Sequence, residues 1–127
     1  MAVGRFGTAI NCIDGRVQEP VIVWLKERYE IDYVDVITEA GPDKALATEA
    51  KGLIESIREK VEISVTKHGS EVIAVVGHHD CVGNPVSKET QWEHIEKAAV
   101  VIRNWGYRVS VHGLWVDEDW RVQVVTE

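Results

Sequence analysis

The chain has 127 residues, of which 45% are hydrophobic and 28% charged, an ordinary balance for one folded globular domain. Its formal net charge of −7 argues against a binding surface for nucleic acids or anionic membranes. No apolar run approaches the length of a membrane-spanning helix, and the first residues lack the apolar core of a signal peptide. We therefore expect a cytoplasmic protein, in which two cysteines indicate metal binding or catalysis rather than a disulfide.

The first half of the chain predicts two strands and two helices. Residues 5–12 are short and apolar, as in a strand, and a helix follows over 20–29 because proline suits a first helical turn. Residues 33–38 predict a second strand, which glycine and proline then end. Beyond it, apolar residues recur at steps of three and four, which predicts one long amphipathic helix over 43–67.

The second half predicts three strands and one helix. Residues 72–76 are all apolar and mostly β-branched, which is typical of a strand buried on both faces in a parallel sheet. A helix over 89–104 and a strand over 107–116 follow, and 120–125 pairs back as a fifth strand. This order predicts a three-layer α/β fold, with a mostly parallel sheet of about five strands, helices on both faces and a C-terminal antiparallel hairpin.

Side chains that can bind metals follow two of the predicted strands. Cys12 ends the first strand, while His78 and Cys81 follow the central one closely enough to reach one ion from a single loop. In such sheets, ligands bind beyond the carboxyl ends of the strands where the chain order reverses, commonly between strands one and three. Two thiolates and one imidazole suit zinc and leave a fourth position for water. The cysteines could instead be small buried apolar residues.

Two motifs together resemble those of the β-class carbonic anhydrases. They are Cys12-x-Asp14-x-Arg16 and His78-x-x-Cys81, and the resemblance extends along most of the chain. It implies a single domain of that type over 1–127, with zinc held by the two cysteines and the histidine. It also implies that Asp14 and Arg16 form a dyad beside the metal, and that the protein is a homodimer or a higher homo-oligomer.

The resemblance implies an enzyme, a zinc lyase that reversibly hydrates carbon dioxide to bicarbonate. Zinc lowers the pKa of bound water to about 7, which supplies hydroxide at neutral pH. Asp14 could orient the zinc-bound hydroxide, and Arg16 could keep Asp14 ionised through charge-assisted hydrogen bonds. We expect this pair to form and to leave the fourth zinc position to water or a small anion. The two residues could instead be only a structural ion pair.

Two other functions remain open. One is a relative of the same fold that hydrolyses carbonyl sulfide or carbon disulfide. The other is a non-catalytic zinc protein, in which Asp14 closes the site as a fourth ligand. The chain does depart from the resembled family, which usually has serine and glycine where Gly15 and Val82 stand.

The remaining candidate residues have simpler interpretations. His79 could relay protons, although a solvated loop position is the simpler expectation, and Asp80 is expected to serve its own loop backbone. The five tryptophans are expected in the core or at an interface. The apolar run over 21–25 and the valine-rich last strand would leave apolar surface exposed in a monomer. We therefore predict a symmetric homodimer, with the first helix at or near the interface.

Overall fold

The computed structural model describes residues 3–127, in which one or two helices separate each of the first four strands from the next. The strands are β1 (Phe6–Cys12), β2 (Tyr33–Glu39), β3 (Val72–His78), β4 (Ser110–Val116) and β5 (Val122–Thr126). The helices are α1 (Gln18–Tyr29), α2 (Pro42–Ala47), α3 (Leu53–Lys67) and α4 (Lys88–Arg103). The sheet order is β2-β1-β3-β4-β5, with only the β4–β5 pair antiparallel. This confirms the predicted α/β fold and its C-terminal hairpin.

Helices cover both faces of the sheet. Helix α1 packs on one face, where Val21 and Leu25 are fully buried against apolar residues of β1, β3 and β4. Helices α2, α3 and α4 cover the other face, with Leu46, Ile57 and Ile102 in its core. Strand β3 is buried along its whole length, as its apolar sequence requires. Within residues 3–127, no helix is both long enough and apolar enough to cross a membrane.

The prediction of one helix over 43–67 is wrong. Helix α2 ends at Ala47 and α3 begins at Leu53. Between them Glu49 and Gly52 have φ angles of 50° and 90°, which a continuous right-handed helix cannot contain. The apolar spacing runs across this break because both helices pack on the same face of the sheet. Strand β4 also begins at Ser110, three residues later than predicted.

The strand order places a crevice beyond the carboxyl ends of β1 and β3. These two strands are neighbours, while β2 and β4 lie on their outer sides, so the chain order reverses between them. Such a reversal is where open α/β sheets bind ligands. Cys12 is the last residue of β1 and His78 is the last residue of β3. The fold therefore delivers both side chains to the same edge of the sheet.

Candidate metal centre

Cys12, His78 and Cys81 converge at this edge. Their ligand atoms all lie within 4.8 Å of one another, and all three residues are buried. The two Sγ atoms are 3.9 Å apart. Two zinc–sulfur bonds of about 2.3 Å at a tetrahedral angle would place the sulfurs roughly 3.8 Å apart. The spacing of the two sulfurs therefore suits zinc.

The imidazole of His78 is also oriented in a way that suits metal binding. Its Nδ1 lies 2.7 Å from the carbonyl oxygen of His79, to which it donates a hydrogen bond. Its Nε2 is buried and has no hydrogen-bond partner among residues 3–127. A backbone acceptor on one ring nitrogen, with the other nitrogen free, is the usual arrangement of a metal-binding histidine. The residues present fit a zinc ion.

The two thiols and the imidazole lie close enough to shift the pKa values of one another. A hydrogen bond from the Cys81 thiol lowers the pKa of Cys12 to about 3, against the opposing effect of burial. The same hydrogen bond, together with burial, raises the pKa of Cys81. Burial lowers the pKa of His78, but the Cys12 thiolate and the His79 carbonyl outweigh it, and the net shift is upward. The hydrogen bond between the two thiols therefore makes the first proton easier to lose and the second harder, and the deprotonated thiol is the form that binds a metal.

Asp14 and Arg16 form the predicted pair beside this cluster. Nη2 of Arg16 lies 2.7 Å from Oδ2 of Asp14, and Nε lies 3.0 Å from Oδ1. The backbone N–H of Arg16 also donates to Oδ1, at 2.9 Å. These hydrogen bonds lower the pKa of Asp14 to about 2. Oδ2 of Asp14 is 4.0 Å from Nε2 of His78, so an ionised carboxylate stands next to the candidate ligands.

A comparison with known families agrees with this geometry. A family model described as "putative carbonic anhydrase" matches residues 2–126. The chain belongs to this carbonic anhydrase family. No match was found among curated proteins.

Solved carbonic anhydrases have a similar fold. Isoform I of the beta-carbonic anhydrase from Trichomonas vaginalis aligns with a TM-score of 0.66 and 14% identity, over 94% of this chain and 81% of that chain. The carbonic anhydrase from Streptococcus mutans gives 0.64 and 15%, over 94% and 80%. The apo form of a carbon disulfide hydrolase gives 0.62 and 17%, over 94% and 77%. These likenesses show the β-carbonic anhydrase fold.

In this member of the carbonic anhydrase family, the loops that carry the candidate ligands are packed tightly. Nε2 of Gln18 donates to the carbonyl oxygens of Cys12 and Asp14, at 2.7 and 2.9 Å. Gly83, two residues after Cys81, lies directly against the loop that follows β2. A Cβ atom on Gly83 would lie 2.5 Å from the backbone nitrogen of Gly41. The loops after β2 and β3 therefore pack against each other without room for an added methyl group at Gly83.

Sequence reasoning missed two contacts of Arg16. Asp80 accepts hydrogen bonds from it through both Oδ2, at 3.3 Å, and its carbonyl oxygen, at 3.2 Å. The indole ring of Trp120 lies over the guanidinium, with 4.7 Å from Cζ to the ring centroid. Asp80 could have been found, because it follows His78 at the edge where Arg16 is expected. His79 is exposed, as expected.

Proposed function

We propose that this member of the carbonic anhydrase family is a zinc enzyme that reversibly hydrates carbon dioxide to bicarbonate. The observation that carries the proposal is the convergence of Cys12, His78 and Cys81, with an ionised carboxylate beside them. Three ligands of these types leave one position of a tetrahedral zinc site open, as catalytic zinc requires. The family and the fold support the same conclusion.

Each residue has a distinct role in the proposed reaction. Sγ of Cys12, Nε2 of His78 and Sγ of Cys81 would hold the zinc ion. When bound, zinc lowers the pKa of a water molecule to about 7 and so supplies hydroxide at neutral pH. Oδ2 of Asp14 would accept a hydrogen bond from this nucleophile and so orient it toward the substrate. Arg16 keeps Asp14 ionised and fixed through its bidentate contact.

The proposed enzyme is a cytoplasmic homodimer, since a reducing compartment keeps both cysteines out of disulfides and available to the metal. A surface groove of about 540 Å³ runs between α1 and the β4–β5 hairpin. Its lining is mainly apolar and aromatic, from Pro20, Val23, Trp24, Trp120 and Val122, with the charged residues Glu19, Glu27 and Arg121 beside them. Val23 at its rim is 49% exposed. A second copy that packs on this face would remove the groove from water, which supports an interface there.

A second candidate reaction is the hydrolysis of carbon disulfide or carbonyl sulfide. The likeness to a carbon disulfide hydrolase favours it, because the same fold holds that activity. Both molecules are linear and have an electrophilic carbon, so a nucleophile placed for carbon dioxide could attack them as well. Assays of zinc-quantified protein with all three substrates separate the two reactions. If carbon dioxide is hydrated at least as fast as the sulfur compounds are hydrolysed, the first proposal stands.

A further inference from the structure

Trp120 lies outside the ligand loops and nevertheless contacts the dyad. The centroid of its ring is 4.7 Å from Cζ of Arg16, within the range of about 6 Å for a cation–π interaction. Trp120 belongs to the turn between β4 and β5, far along the chain from Arg16. Its ring is partly buried against the apolar residues on the α1 face. The hairpin thus brings an aromatic face to the arginine of the candidate site.

The turn that carries Trp120 is held by hydrogen bonds, and Trp120 itself has an unfavourable backbone conformation. Trp120 has a φ of 60°, which is uncommon for a bulky residue. Asp117 is only 7% exposed and fixes the turn by accepting three hydrogen bonds. The donors, at 2.8–3.0 Å, are the backbone nitrogens of Asp119 and Arg121 and Nε2 of Gln123. The position of the indole is therefore set by the turn.

The guanidinium has polar contacts with two aspartates and an aromatic contact with Trp120. The edge donors bind oxygens of Asp14 and Asp80. The Asp80 side chain is 69% exposed and the Arg16 side chain 45%, so solvent weakens that ion pair. Cζ of the guanidinium lies over the ring of Trp120.

We propose that Trp120 is a positioning residue, which holds Arg16 against Asp14 and thereby keeps the Asp14 carboxylate away from the metal ligands. The part of this claim that concerns catalysis rests on the proposed function. The part that concerns the position of Arg16 does not. Without the indole, Arg16 keeps only hydrogen bonds at a partly exposed edge, and Asp14 Oδ2 is already 4.0 Å from Nε2 of His78.

Nitrogen-15 NMR of the arginine side chains directly tests the position of Arg16 relative to the Trp120 ring. The spectra are recorded on the full chain with and without zinc. Nuclei above an aromatic face are shielded, so the Arg16 Nε–H signal should lie upfield and move downfield in Trp120→Leu. Trp120→Phe should keep part of the shift. Trp105→Leu is the matched control, because Trp105 covers Arg58 with 5.6 Å from Cζ to the ring centroid. That variant should move the Arg58 signal and leave Arg16 unchanged.

Carbon dioxide hydration by the zinc-loaded variants tests whether the position of Arg16 matters for catalysis. Trp120→Leu should lower kcat/KM about 3- to 30-fold at unchanged zinc content, the factor that corresponds to loss of a cation–π interaction. Trp120→Phe should recover most of this loss, and Trp105→Leu should behave like the unsubstituted protein. A crystal structure of zinc-loaded Trp120→Leu should show Asp14 displaced toward the metal.

Two results would overturn the proposal. One is an Arg16 signal in the unsubstituted chain without ring-current shielding, a measurement that does not depend on any variant folding. The other is a Trp120→Leu protein that loses the shielding but keeps its full kcat/KM. If the unsubstituted zinc protein hydrates no carbon dioxide, the proposed function fails. The NMR signals and the position of Asp14 in Trp120→Leu then still decide what Trp120 does.

Discussion

Oδ2 of Asp14 lies 4.0 Å from Nε2 of His78. We expect the carboxylate to accept a hydrogen bond from the proposed nucleophile from this position. After a small rotation it could instead bind zinc itself, at the usual carboxylate–zinc distance of about 2.0–2.2 Å. Arg16 opposes this rotation through its bidentate contact with the carboxylate. The Asp14–Arg16 contact is thus expected to decide whether the site is open or closed.

Removing the guanidinium should close the site. We predict that Arg16→Ala retains its zinc but loses hydration activity by at least about tenfold, because a charge-assisted hydrogen-bond pair is lost. A crystal structure should show an Asp14 oxygen at bonding distance from the metal. Arg16→Lys keeps the positive charge but not the planar guanidinium with its two parallel donors, so its hydration activity should be intermediate. Full activity in Arg16→Ala would show that the pair is only structural.

The metal itself should depend on both cysteines. Protein prepared without chelator should contain close to one zinc per chain by elemental analysis, and Cys12→Ser or Cys81→Ser should lose most of it, because the hydroxyl group is a poor replacement for a thiolate ligand. His79→Gln is the matched control. It changes an exposed side chain next to His78, and it should keep its zinc. Unsubstituted protein without any transition metal would refute the assignment of this site.

The close packing of the ligand loops predicts a strong effect at Gly83. Gly83→Ala would push a methyl group against the backbone of Ala40 and Gly41, so it should destabilise the fold by about 1–3 kcal/mol and weaken zinc binding. At Gly15 an added Cβ meets no atom within 4 Å among residues 3–127, its chain neighbours aside, so Gly15→Ala should be nearly neutral. Urea unfolding and zinc titration of both variants measure the difference. Equal effects at the two positions would contradict this account of the loops.

The proposed interface predicts different outcomes for two similar valines. Val23 on α1 and Val100 on α4 are 49% and 51% exposed, on opposite faces of the sheet. The unsubstituted protein should sediment as a dimer at micromolar concentration. Val23→Lys should shift it toward monomer, because a charge would be buried at the contact, while Val100→Lys should not. A monomeric unsubstituted protein would rule the interface out.

The sequence predicted well which side chains converge at this edge of the sheet, because each of them lies at or just after the end of a strand. Cys12 and His78 each end an apolar run, so the strands and their order were enough to bring them together. The break between α2 and α3 was missed because the apolar spacing continues through it, although Gly52 marks the place.

Trp120 could not be placed at the site by sequence pattern. Its contact with Arg16 depends on where the β4–β5 hairpin lies over the loop after β1, and the packing of the whole sheet sets that position. Asp80 was assigned to its own loop, because a local backbone partner is the usual role of aspartate in a turn. Its actual contact is with Arg16, a residue 64 positions away along the chain.

The most direct test of the central claim is stopped-flow measurement of carbon dioxide hydration at neutral pH with protein of known zinc content. We predict that the zinc-loaded protein accelerates hydration above buffer in proportion to its zinc. Asp14→Asn should keep the metal but lose most of this acceleration. A fully zinc-loaded protein that hydrates carbon dioxide no faster than buffer would contradict the claim.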